Sequence, residues 1–186
     1  MRIRPPAAAS VVLLALAAAA CGDDARQPPG ADGVADTSAA RSATAVVRDS
    51  AGRELGTLTL ISADSGIAVQ GSLSGLPMGE YAIHLHSVGS CQPPTFESAG
   101  DHWNPTNARH GSHARGGPHF GDLRNITAMH DSVAEVRVMT AGGKLREEPA
   151  LLDADGAAVV VHARGDDYET QPAGNSGARI ACGVVE

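Results

Sequence analysis

At 186 residues, the chain has room for one ordinary domain and an appendage. A formal charge of −7 argues against sequence-independent nucleic-acid binding, which depends on neutralising phosphates, and 19% charged residues is too few for a wholly disordered polyanion. With 42% hydrophobic but only 3% aromatic residues, any core must come mainly from Val, Ile, Leu and Ala. All eight histidines fall between His84 and His162.

Residues 1–20 read as a secretory signal. Arg2 and Arg4 give a positive start, and Ala7 to Ala20, with Val11, Val12, Leu13, Leu14 and Leu16, gives the apolar stretch. That stretch is too short to span a bilayer comfortably. Cys21 follows three alanines, an arrangement that resembles the lipobox of bacterial lipoproteins, with Ala18 where Leu is usual. The reading is a lipidated Cys21; the plainer alternative is cleavage nearby and a free thiol. Residues 21–43 then form a flexible tether rich in Ala, Asp, Pro, Gly and Ser, with the domain proper expected over 44–186. Three cysteines in an exported chain leave one over. If Cys21 carries lipid, Cys91 and Cys182 remain as a pair.

From Thr44 onward, short runs of period two alternate with turn residues. Strands are expected over Thr44–Arg48, Leu55–Ile61, Ile67–Leu73, Tyr81–His86, Ser132–Met139, Ala157–His162 and Ala178–Val185. No stretch of this part keeps a helical period. The pattern predicts an all-β fold, a β-sandwich or flattened barrel of seven or eight strands. Ser87 to Ile126 shows no convincing strand, and long irregular loops in compact domains are usually functional. Arg164 to Gly177 is a second irregular stretch.

His84 and His86 lie two apart on a strand, so both imidazoles share one face. Alone, such a pair is as readily two surface histidines as a ligand pair. Here His102, His110, His119 and Asp122 follow in the long loop, and His162 ends a later apolar strand. Imidazole suits Zn, Cu, Fe and Ni, and three imidazoles with a carboxylate suit tetrahedral zinc. The residues alone therefore point to an exported β-protein holding one or two copper or zinc ions.

The strings Ala99-Gly100-Asp101-His102-Trp103-Asn104-Pro105, His110-Gly111 and Gly117-Pro118-His119-Phe120-Gly121-Asp122-Leu123 closely resemble the metal loop of copper/zinc superoxide dismutases. Gly75-Leu76-Pro77, His84-Leu85-His86, Gly89-Ser90-Cys91, Val159-Val160-Val161-His162 and the run from Gly174 to Val184 match too, so the resemblance covers Thr44 to Glu186. It implies an immunoglobulin-like Greek-key sandwich or flattened eight-stranded barrel with long metal-binding loops. It implies one copper on His84, His86, His102 and His162, and one zinc on His102, His110, His119 and Asp122, with His102 shared. It further implies a Cys91–Cys182 disulfide, Arg179 beside the copper as the guide for the anion, and Asp166 as the carboxylate tying a copper ligand to a zinc ligand. His113 and His130 have no counterpart and read as surface residues, Trp103 as packing under the loop, and Asn125-Ile126-Thr127 as a turn. Arg164 is the one further cation of its stretch.

The function so implied is conversion of superoxide to O₂ and hydrogen peroxide by copper redox cycling, outside the cytoplasm. The substrate is the superoxide anion; no nucleic acid is expected, membrane contact comes only through the N-terminal lipid, and the protein is a monomer or homodimer. The alternative is a copper-buffering module of the same fold without turnover, which needs neither Arg179 nor a shared His102. A zinc-dependent hydrolase is more distant, because four protein ligands leave no open coordination position.

Overall fold

The structure is a computed structural model in which residues 41–186 are described. The expected signal, Cys21 and nearly all of the tether lie outside the described residues. Among the described residues nine strands form: β1 Ser42–Asp49, β2 Glu54–Ala63, β3 Gly66–Ser74, β4 Gly79–Tyr81, β5 Ile83–His86, β6 Ile126–Ala128, β7 Val133–Met139, β8 Ala158–His162 and β9 Arg179–Val184. β1 thus begins at Ser42 rather than Thr44.

Neighbouring strands run β4-β6-β7-β3-β2-β1-β9-β8-β5, every ladder antiparallel. The two ends of that order, β4 and β5, are consecutive in the chain and separated only by Ala82. They act as one interrupted strand, so the sheet closes on itself as the expected flattened eight-stranded barrel. The β3–β4 and β7–β8 connections cross its ends in Greek-key fashion. The described ends also meet: Thr44 N–H donates to Glu186 O and Glu186 N–H to Thr44 O, each at 2.8 Å.

Alternation explains the core. β1 turns Ala43, Ala45 and Val47 inward, β2 Leu58 and Leu60, β3 Ile67, Val69 and Leu73, while Thr57, Thr59 and Gln70 face outward or lie at the margin. β8 differs, being buried at all five positions. Val159 and Val161 join the main core, and Ala158 and Val160 pack on the other side against Phe96, Ala99 and Cys182. Burial on both faces is why this strand reads as a continuous apolar run.

The long loop is less irregular than its sequence suggests. A 3₁₀ turn occupies Glu97–Ala99. β6 closes the stretch, so Ile126 and Thr127 belong to a strand and not to the expected turn. Three residues are too few to show a period. Between these elements the loop is zipped onto the free edge of β5. Leu85 N–H donates to Gly121 O at 2.9 Å, Trp103 N–H to Leu85 O at 2.8 Å and Gly121 N–H to Trp103 O at 2.8 Å. A Cβ on Gly121 would stand 2.2 Å from Leu85 O, so only glycine allows this approach. Trp103 is buried beneath the loop, edge-on to Phe120 at 5.4 Å, beneath the Gly142-Gly143 turn.

Candidate metal centre

The fold brings every expected ligand to one place. His84 and His86 point from β5 to the same side, and the zipped loop sets His102 opposite His86 and Asp122 opposite His84. His162 ends β8 at a bulge: Val161 pairs with Ala181 but His162 with Arg179, which re-aims the imidazole. All six histidines and Asp122 are buried. Two clusters result, His84–His86–His102–His162 and His102–His110–His119–Asp122, the donor atoms within each lying within 4.8 Å of one another.

In each imidazole one nitrogen is engaged from outside the cluster, which sets the role of the other. His84 Nε2 donates to Asp166 Oδ2 at 2.9 Å and His86 Nδ1 to Gly100 O at 2.9 Å. His162 Nδ1 meets Gly177 O at 3.2 Å. His102 Nδ1 faces Asp122 Oδ1 at 2.8 Å. The nitrogens left over, His84 Nδ1 and Nε2 of His86, His102 and His162, are buried, without a hydrogen-bond partner, and converge. Leaving one buried acceptor unpaired costs about 1–3 kcal/mol. Four at one point fit a cation that takes all four lone pairs.

The second cluster is centred on one oxygen. Asp122 Oδ1 lies 2.8 Å from His102 Nδ1, 3.0 Å from His110 Nδ1 and 3.1 Å from His119 Nδ1. The His110 contact is close but off the hydrogen-bonding direction, which leaves that nitrogen also unpartnered. Metal–donor bonds of about 2.0–2.1 Å in a tetrahedron set donor pairs about 3.3 Å apart, near these spacings. Asp122 Oδ2 is held by the N–H groups of Gly111 at 2.8 Å and His119 at 3.0 Å. Both donor sets therefore suit the nitrogen-loving ions named above.

Asp166 joins the two clusters: Oδ2 takes His84 Nε2, and Oδ1 takes His110 Nε2 at 3.0 Å. Burial pushes His84 down to about 3 and His162 to about 4. His110 goes the other way, to about 9, because Asp122 and Asp166 outweigh its burial. Hydrogen bonds from the histidines hold both carboxylates well below their usual range despite burial.

A cleft of about 510 Å³ opens onto the first cluster, lined among others by Asp101, His102, His162, Gly177 and Arg179. Arg179 is fixed there by two 2.8 Å donations, to Phe96 O and Gly100 O. Both carbonyls belong to the segment that Cys91 ties to β9 through its disulfide with Cys182. Arg164 does not line the cleft; it donates to Asn175 O and Oδ1. His113 and His130 are exposed.

Residues 55–185 match the model of the copper/zinc superoxide dismutases. The chain belongs to that family. The superoxide dismutase [Cu-Zn] of Caulobacter vibrioides is 42% identical over 78% of this chain and 86% of its own length. A superoxide dismutase-like protein from Bacillus subtilis superposes with a TM-score of 0.71 at 37% identity, covering 76% of this chain and 96% of that one. The Cu/Zn superoxide dismutase from Brucella abortus gives 0.65 at 29% identity, covering 78% and 99%. Copper and zinc are thus the cofactors, superoxide the substrate, and the chain an enzyme of this family.

Four supporting residues were assigned no role from the sequence, although Gly174 and Ser176 lie in a matched run. Asn125 clamps the backbone of Asp166 at both N–H and carbonyl, at 2.8 and 3.0 Å. Gln171 does the same for His110, each contact 2.9 Å. Gly174 leaves the space that Asp166 fills, and Ser176 touches His162. Asn125 and Gln171 lie far in sequence from their partners, so no spacing signals those contacts.

Proposed function

We propose that the chain dismutes superoxide outside the cytoplasm, with copper on His84, His86, His102 and His162 and zinc on His102, His110, His119 and Asp122. The observation that carries this reading is the set of convergent, unpartnered nitrogens of His84, His86, His102 and His162, beside a cleft that His102, His162 and Arg179 line. Copper, when bound, supplies reversible one-electron exchange, taking an electron from one superoxide and giving it to the next.

The chain's own residues do the rest. Arg179 presents a guanidinium held rigid by two carbonyls, a fixed docking point for a small anion. Asp101, at the same cleft, offsets part of that charge. His102 is the natural proton carrier, because the residue lines the cleft, its Nε2 has no hydrogen-bond partner and its Nδ1 lies in the second cluster beside Asp122. It would hold a proton on Nε2 between the two half-reactions. Asp166 fixes which nitrogen of His84 and His110 points inward, and the carbonyls of Gly100 and Gly177 do the same for His86 and His162.

A copper-buffering module has no need of Arg179 in the cleft, and that residue favours the enzyme. Purified protein is expected to contain copper and zinc and to dismute superoxide. His162→Ala should lose copper and activity while keeping zinc. Arg179→Ala should keep both metals and lose about 10- to 100-fold in rate, the scale of local steering. Full activity in His162→Ala would sink the copper assignment.

The envelope location rests on the sequence of residues 1–43: a signal, Cys21 as the lipidated end, and a tether. Mass spectrometry of the mature N-terminus tests it, and an unmodified Cys21 or a start beyond it refutes the anchor.

A further inference from the structure

We propose that Ser176 is a positioning residue for His162, its hydroxyl helping to keep the imidazole proton on Nδ1 and so turning Nε2 toward the metal cluster. The inference rests on the assignment of His162 to copper.

Ser176 sits in the turn before β9 and is 2% exposed. The turn is held against the end of β8, with Ala163 N–H donating to Ala178 O at 2.8 Å and Arg164 N–H to Ser176 O at 2.9 Å. The Ser176 hydroxyl has two neighbours, Ala173 O at 2.8 Å and His162 Nδ1 at 3.1 Å. A hydroxyl has one proton and two lone pairs, and a carbonyl can only accept. The proton therefore goes to Ala173 O, and a lone pair faces His162. Gly177 O, at 3.2 Å from the same nitrogen, is also an acceptor only. Both neighbours require a proton on Nδ1, and Nε2 is then bare, in agreement with its lack of a partner.

His162 differs here from its neighbours in the cluster. His84 and His86 are each fixed by one contact of 2.9 Å. His162 has two longer ones, at 3.1 and 3.2 Å, a forked bond in which neither arm is strong alone. Removing the hydroxyl leaves the single 3.2 Å contact to hold both ring orientation and tautomer. Two acceptors on Nδ1–H also raise the donor strength of Nε2, which favours the higher charge state of a bound ion.

The test uses the full chain loaded with copper and zinc. In the reduced, diamagnetic protein with ¹⁵N-labelled histidine, the His162 Nδ1 proton is expected to be well protected from exchange. In Ser176→Ala it should exchange about tenfold faster. At a fixed solution potential the same variant should raise the Cu(I):Cu(II) ratio about three- to tenfold, a lower-end outer-contact effect. Ser176→Thr, which keeps the hydroxyl, should return both readings toward those of the parent. Unchanged exchange and ratio in Ser176→Ala and Ser176→Gly overturn the proposal. So does a parent Nδ1 proton that exchanges as fast as an exposed histidine's, a reading that needs no variant to fold. A full copper complement in His162→Ala would instead fail the copper assignment itself.

Discussion

Asp166 shows how much of a metal site lies outside its ligands. It touches neither cluster's centre, yet its two oxygens orient His84 and His110. Asp166→Asn puts an amide NH₂ where one of those oxygens accepts a ring proton, so one imidazole must turn. The expected result is a 10- to 100-fold loss of metal affinity, measured by chelator competition, with the β-fold retained. Gly174→Ala attacks the same carboxylate sterically. Its Cβ would fall 1.7 Å from Asp166 Oδ1, at a φ of +64° that side chains rarely adopt. A stability loss of about 1–3 kcal/mol by denaturant titration is expected, together with weaker metal binding. The seven proposed ligands and the proposed roles of Arg179 and Asp166 were read from short motifs that resemble those of the family, and the structure brings these residues together. Asn125, Gln171 and Ser176 were not read so, since Ser, Asn and Gln recur throughout loops and acquire meaning only from a distant partner.

At the scale of elements, one loop does two jobs. Cys91 pins it to β9, and its Phe96 and Gly100 carbonyls hold Arg179. Gly100 O also accepts from His86. Cys182→Ser should therefore act twice. A cross-link spanning 91 positions restricts the unfolded chain by about 4–5 kcal/mol in the chain-entropy model. A melting curve should show that loss. The rate should fall as well, approaching that of Arg179→Ala, while zinc content holds. Most strand limits were readable from alternation, whereas the Greek-key arrangement was only implied by the family resemblance. β6 was missed because it is three residues long, and the zipping of the loop onto β5 because those are backbone bonds that carry no side-chain signature.

For the whole molecule, the buried histidines give the metal-free protein an unusual pH response. His84 and His162 are pushed down to about 3 and about 4, chiefly by burial. Below their ordinary value near 6.5 the unfolded chain binds protons that the fold refuses, so stability falls as pH drops from there toward 4. His110 is raised to about 9 by its two carboxylates. Its contribution is complete below pH 6.5 and is lost as pH rises through 9. The chelated protein should therefore melt highest near pH 6.5 and lower on either side. Calorimetry from pH 5 to 9 checks this, and a flat profile would contradict it.

The pairing of Thr44 with Glu186 bears on how the described domain could be recut. Because its first and last strands lie side by side, a short glycine linker can join them without disturbing a ladder. New termini opened between the exposed Asp153 and Ala154 would leave every segment that carries a proposed ligand intact. Such a permutant should assemble the same centre. The order in which the strands leave the ribosome is then a matter of history, not of the architecture that holds the ions.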